Sequence, residues 1–181
     1  MIDQRHSFRP LLLALALLGG TLAAPAEAAP PPEGVEALLA KEACETLVLT
    51  YASAWDHGDA DAFANLFAPD GTLTFARPIE GREAIRKTME AGSARSTFRH
   101  VMSNIQITLE DADTARGVSY AIVLTGPRPE GEATGPVALE GLGTVGEYHD
   151  VFVRTDEGWK IAARRFVPIL RAAPPAPRPA E

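Results

Sequence analysis

The sequence predicts an α+β fold in which about three helices precede an antiparallel sheet. In the first half of the chain, apolar residues recur at three- and four-residue intervals, as they do in amphipathic helices. From Thr97 onward the period changes to two, and four strand-like runs follow. Sequential strands joined by tight turns are antiparallel. The chain therefore reads as a helical group followed by a meander of strands.

The helical part contains two clear boundary signals. The longest amphipathic pattern runs from Val35 to Trp55 and ends at Gly58, which favours termination of a helix. Asp59 can cap a second, short helix, and the turn residues 69–71 close it. These signals predict a sharp corner between two helices.

The remaining elements follow the same logic. A short strand, residues 72–76, and a third helix, residues 81–92, come next. The runs with alternating polarity are residues 98–110, 116–126, 143–155 and 159–169. Only residues 127–140 are long and irregular, and we predict no conformation for them.

The two ends of the chain are predicted to lie outside the folded domain, one as a cleaved signal peptide and the other as a tail. Arg5 and Arg9 precede an apolar run and small residues, the pattern of a secretory signal peptide over residues 1–28. The apolar run is shorter than the roughly 20 residues that span a bilayer, so cleavage is favoured over a permanent anchor. We expect an exported protein, periplasmic or secreted. It comprises a linker, one domain and a disordered Pro/Ala-rich tail, at residues 29–34, 35–170 and 171–181.

Composition excludes several classes of partner and cofactor. The net charge is −7 and no basic stripe is present, which argues against binding to nucleic acid or to an anionic membrane. The single cysteine, Cys44, lies in an apolar pattern and is expected to be a buried small side chain rather than a reactive thiol. The histidines are scattered and no phosphate-binding or dinucleotide motif is present, so we predict no metal and no cofactor.

Several stretches resemble the SnoaL-like branch of the nuclear-transport-factor-like superfamily. They are YASAWDHGDADAFANLFAPDG, GREAI, FRHVMSN and EYHDVFVRTDEGWKIAARR. The superfamily includes scytalone dehydratases, polyketide cyclases, steroid isomerases and noncatalytic binders. The resemblance implies a cone-shaped sheet curved around the helices, with an apolar pocket at one end. Members of the superfamily often dimerise through the outer face of the sheet, so the resemblance also implies a homodimer.

The resemblance implies a catalytic role for Asp56 and His100. They match an Asp and a His that move a proton and orient a water in scytalone dehydratases. Trp55 stands where those proteins have a Tyr, and the following strand lacks their second His. An imidazole is an effective proton carrier when a carboxylate fixes its tautomer. Alternatively, Asp56 serves only the helix corner, where short polar side chains bond free backbone groups.

The orientation of His100 depends on an irregularity in its strand. Residues 105–109 present their apolar side chains to the core, and strict alternation from there turns His100 outward. A bulge at residues 103–104 would switch the faces. Phe98 and Met102, which share the face of His100, favour such a bulge and a pocket position for the imidazole.

A small apolar or aromatic molecule is the expected ligand. Tyr148 matches a Tyr that commonly faces the cavity in SnoaL-like proteins, and we expect its hydroxyl to orient the ligand. The full set of predicted ligand-binding residues is Tyr51, Trp55, Phe75, Phe98, Met102, Asn104 and Tyr148. Aromatic side chains at helical spacing, however, are more often plain core than a platform for a ligand. Three hypotheses follow: a cofactor-independent lyase or isomerase, a noncatalytic carrier or sensor, and a structural dimerisation module with a filled cone.

Overall fold

The computed structural model describes residues 28–131 and 135–171. The predicted signal peptide, apart from its last residue, and the predicted tail, apart from its first, lie outside the described residues. No helix in the described part of the chain is long and apolar enough to cross a membrane.

The helices begin and end close to the predicted boundaries. They are α1 (Gly34–His57), α2 (Ala60–Asn65) and α3 (Arg82–Ser93). Gly58 ends α1 in the left-handed conformation, with φ of 75°, which glycine adopts without strain. The Asp59 carboxylate caps α2 by accepting a hydrogen bond from the amide of Ala62 at 2.9 Å. Both corner signals are therefore confirmed.

The sheet has six strands in the described residues and one parallel pair. The strands are β1 (Phe67–Thr74), β2 (Pro78–Glu80), β3 (Ser96–Leu109), β4 (Thr114–Pro127), β5 (Gly141–Thr155) and β6 (Gly158–Arg171). Their order is β2-β1-β6-β5-β4-β3, and β3 to β6 form the predicted antiparallel meander. β1 pairs with β6 in parallel. The α+β class is confirmed, but the sheet is mixed, because turn length constrains only strands that follow one another directly.

The first strand begins earlier than predicted. β1 starts at Phe67, so the predicted turn at residues 69–71 lies inside the strand. It forms an irregularity in the pairing with β6 between Phe67 and Thr72. A side chain at Gly71 would approach the carbonyl oxygen of Ile161 to 2.9 Å, which explains the glycine at this close backbone contact.

The helices cover the sheet and enclose one core. α1 packs against β3, β4 and β6, while α2 and α3 pack against each other and against β1. The core includes side chains with no exposed surface: Cys44, Val48, Tyr51, Phe63, Phe67, Leu73, Ile85, Met89, Phe152 and Ile161. The prediction of a buried Cys44 is confirmed, and burial raises the pKa of its thiol to about 12.

The predicted bulge is present in β3. The pairing of β3 with β4 shifts between Ser103 and Gln106, and Asn104 has φ of 49°. An asparagine tolerates this left-handed conformation better than most residues. Before the bulge, His100 is partly buried, and after it Ile105 is partly buried, so the inward face changes parity.

Candidate functional site

Asp56 and His100 meet where the end of α1 crosses β3. The Nδ1 atom of His100 lies 2.6 Å from Oδ1 of Asp56. The side chains are 4% and 3% exposed, respectively. The backbone amide of His100 also donates to the Asp56 carboxylate, at 2.9 Å from Oδ2. The structure therefore brings the two predicted catalytic residues into direct contact.

The contact defines which ring nitrogen is available for chemistry. An ionised carboxylate only accepts hydrogen bonds, so Nδ1 of His100 carries the proton that Asp56 accepts. In the neutral ring, Nε2 then keeps its lone pair, and within the described residues it has no hydrogen-bond partner. Arg99 approaches the carboxylate of Asp56 at 3.5 Å, but its side chain is 58% exposed and contributes little. The pair thus presents a proton acceptor of fixed tautomer.

The helix corner does not use the Asp56 carboxylate. The amides of Gly58 and Asp59 donate to backbone carbonyls of α1 at 3.1 and 2.9 Å. Nδ1 of His57 lies 2.7 Å from the carbonyl oxygen of Ser53, one turn earlier. The corner is therefore built from backbone bonds and His57, and the carboxylate of Asp56 reaches across to β3.

A cavity of about 150 Å³ lies beside the imidazole. It is lined by Tyr51, Trp55, Phe75, Phe98, His100, Val123, Thr144, Tyr148 and Phe166. The rings of Trp55 and Phe75 lie 6.0 Å apart and both line the cavity, so they do not close it as a structural module would require. The arrangement is an aromatic chamber with one imidazole in its wall.

Two predicted ligand-binding residues lie outside this chamber. Met102 instead borders an open surface depression that is also lined by Asp56 and His100. Asn104 is exposed, because it occupies the bulge itself, where the chain switches faces. The sequence reasoning also missed Val123, Thr144 and Phe166, which come from β4, β5 and β6. The alternation of residues along a strand identifies each of them as an inward side chain, but it does not distinguish the side chains that line the cavity from the rest of the core.

A second buried pair lies next to the cavity wall. Nε and Nη2 of Arg164 each donate to the carboxylate of Asp150 at 2.8 Å, and both side chains are fully buried. The guanidinium carbon of Arg164 lies 4.1 Å from the ring centroid of Tyr51 and 4.5 Å from that of Tyr148. Burial raises the pKa of both tyrosine hydroxyls, and the positive charge of Arg164 opposes that rise.

A bulge in β6 turns Arg164 inward. The pairing of β5 with β6 shifts between Val151 and Phe152, whose partners are Ala163 and Ile161, and Ala162 is left over. Ile161 and Arg164 are both buried, although they are three residues apart. Strict alternation from Ile161 would have turned Arg165 inward instead.

One larger cleft is separate from the chamber. This open cleft of about 720 Å³ lies between the start of α1 and the turn joining β5 to β6, and it shares no lining residue with the chamber. Within residues 28–131 and 135–171, no group of three or more His, Cys, Asp or Glu side chains is placed to hold a metal ion. The chamber combines a largely aromatic lining with a titratable side chain, His100.

Residues 36–165 match the SnoaL-like domain, and the chain belongs to that family. This confirms the resemblance found in the sequence. No curated protein matches the chain.

Solved structures show the same fold. A protein from Novosphingobium aromaticivorans with the provisional name scytalone dehydratase is 24% identical, with 81% of this chain and 99% of that chain covered and a TM-score of 0.63. An NTF2-like protein with a cystatin-like fold from the same organism is 25% identical, with 73% and 83% covered and a TM-score of 0.58. A protein from Catenulispora acidiphila, in complex with S-DNPA, is 24% identical, with 72% and 93% covered and a TM-score of 0.56.

Proposed function

We propose that this protein is a cofactor-independent lyase or isomerase that acts on a small cyclic or aromatic molecule. The observation that carries the proposal is the position of His100, whose Nδ1 is bound to Asp56 while the ring lines an aromatic cavity. One structural neighbour bears the provisional name scytalone dehydratase, which is consistent with this class of reaction.

The reaction requires one group that carries a proton and one that donates a hydrogen bond to the substrate oxygen. His100 Nε2 takes a proton from a ligand carbon next to a carbonyl group, and the C–H electron pair forms an enolate. Return of the proton to another carbon completes an isomerisation. Return of the proton to a departing hydroxyl releases water and completes a dehydration. Tyr148, which lines the cavity, hydrogen-bonds the carbonyl oxygen, and Asp56 stabilises the imidazolium.

Deuterium exchange into cyclohexanone tests the first step without knowledge of the natural substrate. Its single ring is comparable to benzene, which an engineered cavity of about 150 Å³ accommodates. The protein is incubated with cyclohexanone in D2O, and loss of the α-proton signals is followed by NMR. We expect exchange above the buffer rate, reduced at least about 100-fold by His100→Asn.

A second histidine provides the matched control. His149 is 40% exposed and bonded to Glu147 rather than to Asp56, so His149→Asn should leave the exchange rate unchanged. Equal rates in wild type and His100→Asn would reject the enzymatic proposal. The alternative is a noncatalytic carrier, favoured by Trp55 in place of the dehydratase Tyr. A carrier would bind cyclohexanone with and without His100 and exchange no protons.

Assembly and location are separate parts of the proposal. The outer face of β3 and β4 exposes Val101, Tyr120 and Ile122, which favours a homodimer through this face. Light scattering of the Ile122→Lys variant should show a monomer if the wild type is a dimer.

We propose export on the basis of the signal pattern at residues 1–28, and cell fractionation of the full chain tests it.

A further inference from the structure

The Asp150–Arg164 pair is more than an isolated structural ion pair. Nε and Nη2 of Arg164 are bound to Asp150, but Nη1 has no hydrogen-bond partner within the described residues, although it is buried. Buried donors without partners are unusual, because each loses its hydration on folding. The pairing with Asp150 therefore leaves one buried donor of the guanidinium unused.

The guanidinium lies against two tyrosines of the chamber wall. Arg164 contacts the ring faces of Tyr51 and Tyr148, at 4.1 and 4.5 Å from their centroids. Both tyrosines line the chamber, whereas Arg164 does not. The cation therefore lies directly behind these two rings of the chamber wall.

The tyrosines experience a net positive field from the pair. Burial keeps the pKa of each hydroxyl above its usual value, with a further contribution from Tyr148 at Tyr51; against this, Arg164 lowers each pKa by more than Asp150 raises it. The physical reason is distance, because the guanidinium lies against the rings. Electrostatic effects of this kind are strong where water is excluded.

We propose that the chamber binds a ligand oxygen that carries negative charge in preference to a neutral one. Arg164, held by Asp150, is the positioning residue, and its positive charge acts on the wall formed by Tyr51 and Tyr148. The ligand class is a single-ring phenolate or enolate, since a cavity of about 150 Å³ holds one benzene-sized ring. The inference rests on the proposed function in one respect: an enolate is the intermediate that proton removal by His100 would produce. A preorganised positive field at that oxygen would stabilise the enolate.

Binding of 4-nitrophenol tests the charge preference directly. Its phenol and phenolate forms differ in visible absorption, so the ionised fraction of bound and free dye can be compared at one pH. We expect the wild-type protein to bind the phenolate more tightly than the phenol. Arg164→Met should lower the ratio of phenolate to phenol affinity by about tenfold, which corresponds to roughly 1.4 kcal/mol.

The neighbouring arginine supplies a matched control. Arg165 follows Arg164 in β6 but is exposed, so Arg165→Met changes the net charge equally without altering the tyrosine wall. Its affinity ratio should stay at the wild-type value. An equal loss in both variants would attribute the preference to overall charge and overturn the proposal.

Folding must be separated from charge selection. Arg164→Met leaves Asp150 buried without a partner, whereas Asp150→Leu combined with Arg164→Met removes both charges and is expected to fold. The double variant should also lose the phenolate preference, but by less than Arg164→Met, because the opposing charge of Asp150 is removed with that of Arg164. A folded double variant with the wild-type ratio would overturn the proposal, as would a wild-type protein that prefers the neutral phenol. If neither variant folds, the wild-type protein still overturns the proposal should it bind the neutral phenol as tightly as the phenolate.

The two proposals fail in different ways. Selective phenolate binding without deuterium exchange into cyclohexanone would reject the enzymatic function and leave the charge preference standing. Exchange that depends on His100, together with no preference for phenolate, would reject only the role of Arg164.

Discussion

Two buried acid–base pairs flank the same chamber, and they differ in what they can do. Asp56 and His100 join a helix end to a strand, and the imidazole can gain or lose a proton. Asp150 and Arg164 join neighbouring strands, and the guanidinium keeps its charge at any ordinary pH. The first pair is suited to proton transfer and the second to a fixed field. In the proposed reaction, the group that would move a proton and the group that would stabilise charge are therefore two different side chains beside one chamber.

Removal of Arg164 should have the largest effect on stability. Arg164→Met leaves the carboxylate of Asp150, which is fully buried, without its partner. Breaking a buried pair from one side costs about 3–5 kcal/mol, whereas an apolar replacement of both partners is often neutral. Urea unfolding should therefore show a large loss for Arg164→Met and recovery in the double variant with Asp150→Leu. If Arg164→Met is as stable as wild type, this buried pair contributes little to the stability of the fold.

Asp56→Asn should have a smaller effect on stability and a specific effect on the ring of His100. The side chain loses its charge but can still accept the backbone amide hydrogen bond of His100, so we expect a loss of about 1–3 kcal/mol. Its amide group no longer favours a proton on Nδ1. Nitrogen NMR should show a single Nδ1–H tautomer for neutral His100 in wild type and a mixture in the variant. Asp70→Asn, at an exposed position, is the control and should change neither quantity.

Cys44 shows what burial does to an ionisable group that lacks an ion-pair partner. Its pKa is raised from 9.0 to about 12, chiefly by burial. The folded state then holds the thiol proton more tightly than the unfolded state, so stability is fully present below pH 9 and falls as pH rises toward 12. Between about pH 8 and pH 10, wild type should lose roughly 1 kcal/mol more than Cys44→Ala in urea unfolding. Parallel losses in the two proteins would contradict the raised pKa.

The sequence predicted the first pair and not the second, for identifiable reasons. The resemblance to scytalone dehydratases implied the Asp56–His100 pair, and the apolar side chains on the face of His100 favoured the bulge that turns it inward. Arg164 is turned inward by a bulge at Ala162, which no glycine, proline or polarity change marks. The helix boundaries and the meander followed from local signals. The parallel pairing of β1 with β6 did not, because no short turn relates those strands.

An exposed pair provides the smallest expected effect and completes the comparison. His149 Nε2 lies 2.9 Å from Oε2 of Glu147, a contact similar in chemistry to that of His100 with Asp56, but the side chains are 40% and 29% exposed. Because water competes with the contact, Glu147→Gln should change the free energy of unfolding by less than about 0.5 kcal/mol, well below the loss expected for Asp56→Asn. Urea unfolding in low and high salt measures both variants. Equal losses at the exposed and buried carboxylates would mean that burial does not strengthen the Asp56–His100 contact, and the argument for a preorganised proton acceptor would fail with it.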